Sequence, residues 1–322
     1  MQLTKILKAA TCTAMLAMAG STFAQWQPNG PITLEVGFGA GGSTDTLARA
    51  IATQMEEDTG WKVVVKNKPG GGGVAMFSSL VYGKADGQTI GMGVTIPTLI
   101  NLAERGDKLP FSTDSFDYLA TVVVAPLAVV APTSAPYNNI SELIQYSQSH
   151  DGALVGFDGG EMRLMMEAIN NTEDAGFELV SYKSGSEIIQ GLLGGQLQAG
   201  WGAGAHIQYV ESGQLKMLAV ATKTRQNYSP DTTSFIEQGY PYSAEPYFYL
   251  AAPKGLEPEA REALSNALDN AINSEALTTL IGNVMQTTPT NLGPDGTEDK
   301  LVNGLADITA LLKASVLATD NK

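Results

Sequence analysis

The stretch Gly39-Ala40-Gly41-Gly42-Ser43-Thr44-Asp45 has the composition of an anion cradle. Glycines free the backbone to turn, and a helix opening just after them leaves its first N–H groups without acceptors. Those groups and the positive end of the helix dipole converge on one spot, which suits a negative charge. Ser43 or Thr44 is a good N-cap. Asp45 suits a first helical turn, where it can pair with Arg49 or brace the turn. Gly37 to Gly42 also satisfies G-x-G-x-x-G, a dinucleotide fingerprint. That reading needs an acid at the end of the next strand to hold a ribose, and Asn67-Lys68 stand there instead. The G-K-[S/T] of a phosphate-binding loop is absent.

Catalytic chemistry has little to work with. His150 and His206 are the only histidines and fall in different segments, which argues against metal ligation or a catalytic triad. There is no G-x-S-x-G, and Ser43 has no base beside it. No metal and no cofactor is expected. A second glycine turn, Asp158-Gly159-Gly160-Glu161, carries two carboxylates. Asp158 there reads either as a helix N-cap or as an acid facing a ligand.

The elements that must position these residues follow from periodicity. Ile32, Leu34, Val36 and Phe38 alternate with polar or small residues, a strand running into the first turn. Leu47, Ile51 and Met55 share one helical face, Gly60 stops that helix, and residues 62–66 form the next strand. A second glycine loop, 69–73, leads to a helix over 74–82. Residues 89–94 form a strand that Thr95 to Thr98 close, at the sheet edge where Gly39–Thr44 lie. Ligands of parallel α/β sheets sit beyond that edge. Residues 119–130, broken by Pro126, read as a strand crossing into a second lobe. There the pattern repeats, with helices over 139–149, 161–169, 186–193 and 205–210 alternating with strands over 154–157, 177–182, 197–201 and 215–221. Residues 247–252 return to the first lobe, and helices over 258–272, 275–284 and 297–317 end the chain. This is an α/β chain with mainly parallel sheets. Its expected division is 25–124 plus 244–322 for one lobe and 125–243 for the other.

Lys5 and Lys8, an apolar run from Ala9 to Ala19 and the small residues Thr22 and Ala24 make an export signal, with cleavage expected after Ala24. The single cysteine, Cys12, lies inside that run, and Ala9-Ala10-Thr11 before it make a poor lipoprotein box. The mature chain is therefore expected in the periplasm, without disulfides and without a membrane anchor. The net charge is -14, and losing Lys5 and Lys8 takes it two units further, to -16. Such a surface repels nucleic acid and anionic lipid, so an anionic ligand must be caught by local N–H groups.

The order and spacing of several segments resemble the solute-binding proteins of tripartite tricarboxylate transporters, the Bug-type family. The most specific segment is Gly39 to Arg49. Val63 to Gly70, Lys84 to Thr89, Leu192 to Gln196, Gly213 to Val220 and Ala252 to Gly255 support it. The resemblance implies a two-lobed periplasmic binding protein, a type II flytrap, that closes on a small organic carboxylate. It implies delivery to membrane transporter subunits by a monomer, with no catalysis. The ligand's carboxylate would sit on Gly39–Thr44, with Phe38, Asp45 and Thr95 beside it. The facing wall would come from 157–162, 182–186 and 201–203, hence Asp158, Gly159, Gly160, Glu161, Tyr182, Ser184, Trp201 and Gly202. Tyr247 stands where relatives carry an aromatic beside the ligand. Where relatives usually offer hydroxyl and amide side chains, this chain has Asp158 and Glu161. Arg163 and Lys183 stand close enough in sequence to offset them. If the two acids line the cleft, the ligand should carry a cationic or hydroxyl group besides its carboxylate. An exported enzyme acting on a small carboxylic acid and a ligand-presenting sensor are the competing readings.

Overall fold

The structure is a computed structural model that describes residues 26–319. The export signal lies outside the described residues.

Two five-stranded sheets share one topology. The first has the order β2 (Val63–Asn67), β1 (Ile32–Val36), β3 (Thr89–Val94), β10 (Tyr247–Pro253), β4 (Phe116–Val124). The second has the order β7 (Phe177–Ser181), β6 (Ala153–Phe157), β8 (Ala199–Ala203), β5 (Leu127–Pro132), β9 (Leu215–Val220). In each, four strands run one way and one runs against them: β10 pairs antiparallel with β3 and β4, and β5 with β8 and β9. Each opposing strand is supplied from across the molecule. The chain leaves the first sheet at β4, crosses at Ala125-Pro126 and enters the second as β5, and β10 makes the return. The two crossings touch, since the Ala125 N–H donates to the Pro246 carbonyl at 2.8 Å. Pro126 cannot donate to a ladder, so the strand breaks there and the chain changes sheets.

Helix α1 (Ser43–Thr59) packs on β1 and β2 through Leu47, Ile51 and Met55, all fully buried, and ends at Gly60 with φ 73. After α2 (Val74–Leu80) comes α3 (Thr95–Arg105). The sequence predicts a strand over 89–94 that Thr95 to Thr98 close, and no helix there. Pro97 is tolerated because it falls in the first turn, where an N–H has no intrahelical acceptor. The second sheet carries α4 (Ile140–Ser149), α5 (Gly160–Glu173), α6 (Gly185–Leu193) and α7 (Ile207–Glu211). Asn139 caps α4 by accepting from the Glu142 N–H at 2.8 Å. The chain ends in α8 (Pro258–Ile272), α9 (Glu275–Met285) and α10 (Gly293–Thr319). One apolar core runs through both sheets, and the crossing residues Ala125 and Leu127 belong to it. Among the described residues no helix is long and apolar enough to cross a membrane.

Candidate functional site

The carboxyl ends of β1, β3, β6 and β8 face one another across the crossings. Between them lies a cavity of about 30 Å3, roughly the share of liquid volume held by one water. Phe38, Gly42, Ser43, Thr44, Val94 and Pro97 line it from the first lobe. Asp158, Gly159, Glu161, Met162, Ser184, Gly185 and Ala203 line it from the second. Ala125, Leu127, Pro246 and Phe248 form the floor at the crossings. The first turns of α1, α5 and α6 all open on this space, so three helix dipoles bring their positive ends to it.

The first glycine turn divides its labour. The Gly41 N–H donates inward to Asp45 Oδ2 at 2.8 Å, and the Gly39 N–H donates across the cleft to the Lys183 carbonyl at 2.9 Å. Two of the donors expected for a ligand, those of Gly39 and Gly41, are therefore engaged. Ala40 is exposed and does not line the cavity. Gly42 rather than Ser43 or Thr44 is the N-cap, and no side chain caps the helix. The N–H groups of Ser43 and Thr44 lie in the first turn and have no intrahelical acceptor. They are the donors left for an anion in the cavity.

Asp45 is the brace. It is 3% exposed and accepts from Gly41 N–H, from Arg49 Nε at 3.0 Å and from Asn67 Nδ2 at 2.9 Å, while Asn67 Nδ2 also reaches the Phe38 carbonyl. Burial opposes its charge, but the bonds from Arg49, Gly41 and Asn67 outweigh burial and hold its carboxyl below the ordinary value. Asn67, which stands where a dinucleotide site would need an acid, is thus part of the same brace.

The second glycine turn is built the other way. Gly159 is the N-cap of α5 without a side-chain cap, so Asp158 is not the cap. Its carboxyl lies beside the start of α6, where the Gly185 N–H favours its charged form. Glu161, in the first turn of α5, is 5% exposed and its Oε2 has no partner. Burial pushes the Asp158 carboxyl up to about 7 and the Glu161 carboxyl up to about 8, each aided by a neighbouring acid: Glu187 for Asp158, and Asp158 for Glu161. Arg163 does not offset them, because it pairs with Glu104 at 2.5 Å and Glu167 at 2.8 Å.

The lobes are held shut by bonds around the cavity. Besides Gly39 to Lys183, Ser186 Oγ donates to the Gly41 carbonyl, the Ala205 N–H donates to Ser43 Oγ at 3.2 Å, and Gln286 Nε2 donates to Glu211 Oε1 at 3.2 Å. Arg163–Glu104 joins α5 to α3. A side chain at Gly39 would bring its Cβ within 3.1 Å of Ser184 Cβ, so Ser184 would have to give by a few tenths of an ångström to admit one.

Residues 47–291 match the model of the tripartite tricarboxylate transporter family receptor. The chain belongs to this family. Protein BugT of Bordetella pertussis is 27% identical over 270 residues, which are 82% of this chain and 83% of BugT. The structure of the periplasmic binding protein BugD superposes with a TM-score of 0.79 at 24% identity, covering 89% of this chain and 98% of BugD. MatC from Rhodopseudomonas palustris, solved with bound malate, superposes with a TM-score of 0.77 at 22% identity, covering 88% of this chain and 98% of MatC.

Several expected site residues of this receptor lie elsewhere. Trp201 is fully buried and stacks on Phe235, ring centroids 5.7 Å apart. Gly202 abuts His206, whose ring would lie 2.3 Å from a Cβ there. His206 is itself kept neutral by burial, which pushes its pKa down to about 3. Tyr182 packs toward Gly156 and Gly191 on the far side of β6, and Gly160 packs on Ile100. Thr95 Oγ1 accepts from the Tyr247 N–H at 3.0 Å, and the Tyr247 ring lies under Lys300 Nζ, 5.1 Å from its centroid. Neither Thr95 nor Tyr247 lines the cavity. The floor residues Leu127, Pro246 and Phe248 have no sequence signature, although Pro126 marks the crossing that brings Leu127 there.

Proposed function

We propose that this receptor captures a small organic carboxylate between its lobes and hands it to the membrane subunits of a tripartite tricarboxylate-type transporter. It does so in the periplasm, as a monomer cut after Ala24, and without chemistry on the ligand. The lobes are residues 25–124 plus 244–322 and residues 125–243. The observation that carries the reading is the cavity at the crossings, where Ser43 and Thr44 offer unclaimed N–H groups at the start of α1. A carboxylate there gains charge-assisted bonds worth ~1.5–3 kcal/mol each, which an acidic protein needs because its long-range field repels anions. A cavity of about 30 Å3 is too small for such a ligand. Entry therefore requires the lobes to part, and the touching crossings at Ala125 and Pro246 are the natural hinge. The carboxylate bound to MatC is of the proposed class.

Native mass spectrometry of receptor purified from its host periplasm tests this. A co-purified small carboxylic acid that is released unchanged supports the reading. Turnover of the bound compound would make the protein an enzyme instead.

A further inference from the structure

The cavity lining contains two ionisable side chains, Asp158 and Glu161, and no lysine, arginine or histidine. Both acids come from the second lobe, opposite the α1 N-terminus. Glu161 Oε2 is buried at the cavity wall without a hydrogen bond. An unsatisfied buried oxygen of this kind costs stability until something donates to it. Among the described residues no cationic side chain is positioned to do so: Arg163, the nearest in sequence, is turned to Glu104 and Glu167. Asp158 lines the same wall and has acceptor capacity toward it.

The chemistry of the missing donor can be narrowed. A second carboxylate on the ligand would meet two acids and no cationic side chain. A hydroxyl offers one donor and no charge. A quaternary ammonium offers charge but no N–H. A primary or secondary ammonium offers both, and its donors can reach two carboxyl groups at once.

Resting on the proposed carboxylate-binding role, we infer that the ligand is an amino carboxylate, its carboxylate on the Ser43–Thr44 N–H groups and its protonated nitrogen against Glu161 and Asp158. The cavity then reads charge across the cleft: a helix N-terminus on one lobe for the anionic end, an acid pair on the other for the cationic end. A ligand of this kind bridges the lobes and is satisfied only when they close.

Calorimetric titration of the mature protein with β-alanine and 4-aminobutanoate, against propanoate, butanoate and malate, tests the inference. The amino compounds should bind at least about tenfold more tightly than their des-amino counterparts, and Glu161→Gln should erase most of that difference while circular dichroism stays unchanged. Asp158→Asn serves as the second variant should Glu161→Gln fail to fold. Malate binding without amino carboxylate binding overturns the inference and leaves the carboxylate reading standing. Equal binding of amino and des-amino compounds, or an amino preference that survives both substitutions, also overturns it. Binding of none of the five compounds overturns the inference and the carboxylate reading together.

Discussion

The two glycine turns are the same strand–turn–helix device put to opposite uses. In the first lobe the turn's acid, Asp45, points back under its own helix and is saturated by Gly41, Arg49 and Asn67. In the second lobe Asp158 and Glu161 point into the cleft, and one oxygen is left without a partner. The electrostatic outcome follows: one carboxyl is held low by donors, the others are pushed up by burial. A saturated acid shapes a turn. An unsaturated one is available to a ligand. What separates the two cases is the count of donors within reach.

The contrast can be broken most severely at the first turn. Gly42→Asp places a carboxylate against the Ser43 and Thr44 N–H groups, and its Cβ would meet Ser184 at 3.3 Å. Carboxylate affinity should fall by about a hundredfold or more while the chain stays folded, read by calorimetry beside circular dichroism.

Removing the brace should act on stability instead. Asp45→Ala leaves the Gly41 N–H and Asn67 without their acceptor and should cost on the order of 2 kcal/mol in urea unfolding. The Asp45 carboxyl is lowered in the folded state, so its contribution is present above its unfolded pKa and lost as pH falls through the folded value. The gap between parent and Asp45→Ala should therefore narrow toward pH 2.

Glu161 gives the opposite sign. Its carboxyl is raised to about 8 from an ordinary value near 4.5. Between those values the folded protein holds a proton that the unfolded chain has lost, so the ligand-free protein loses stability as pH rises from about 5 to about 8. Asp158 adds to this, and Glu187 beside it raises Asp158 further. Glu161→Gln should flatten the slope and stabilise the empty protein at pH 8 by roughly 1–2 kcal/mol. Thermal unfolding across pH 5–8 reads it. A parent-like slope in the variant would place the titration elsewhere.

The smallest effect is expected at the lobe latch. Arg163 and Glu104 are partly exposed, so Glu104→Gln should cost under about 1 kcal/mol. It should nonetheless enlarge the radius of gyration of the empty protein in small-angle scattering, since the bond spans the two lobes.

Much of this architecture is legible in the sequence because local rules coincide with it. The alternation of Ile32, Leu34 and Val36 and the stop at Gly60 each predict the element found. Helix α3 is not legible, because Pro97 reads as a breaker unless its place in a first turn is known. The site divides along the same line. Glycine turns announce a cradle, and Phe38, Gly42, Ser43, Thr44, Asp158, Gly159, Glu161 and Ser184 do line the cavity. Which N–H groups remain unclaimed depends on the local Asp45 brace, which the sequence suggests, and on Lys183 arriving from the other lobe, which no local pattern encodes. The family resemblance implies Trp201 at the ligand, yet β8 turns it to the core side, where Phe235 covers it.

The contrast between the two turns is tested most directly by a carbon-13 NMR titration of the side-chain carboxyls in the ligand-free protein, with Asp45→Asn and Glu161→Gln used to assign the two resonances. The account predicts Asp45 titrating below the ordinary carboxylate range and Glu161 titrating near 8. Both groups titrating together near 4 would contradict it, because the second turn would then be as well supplied with donors as the first.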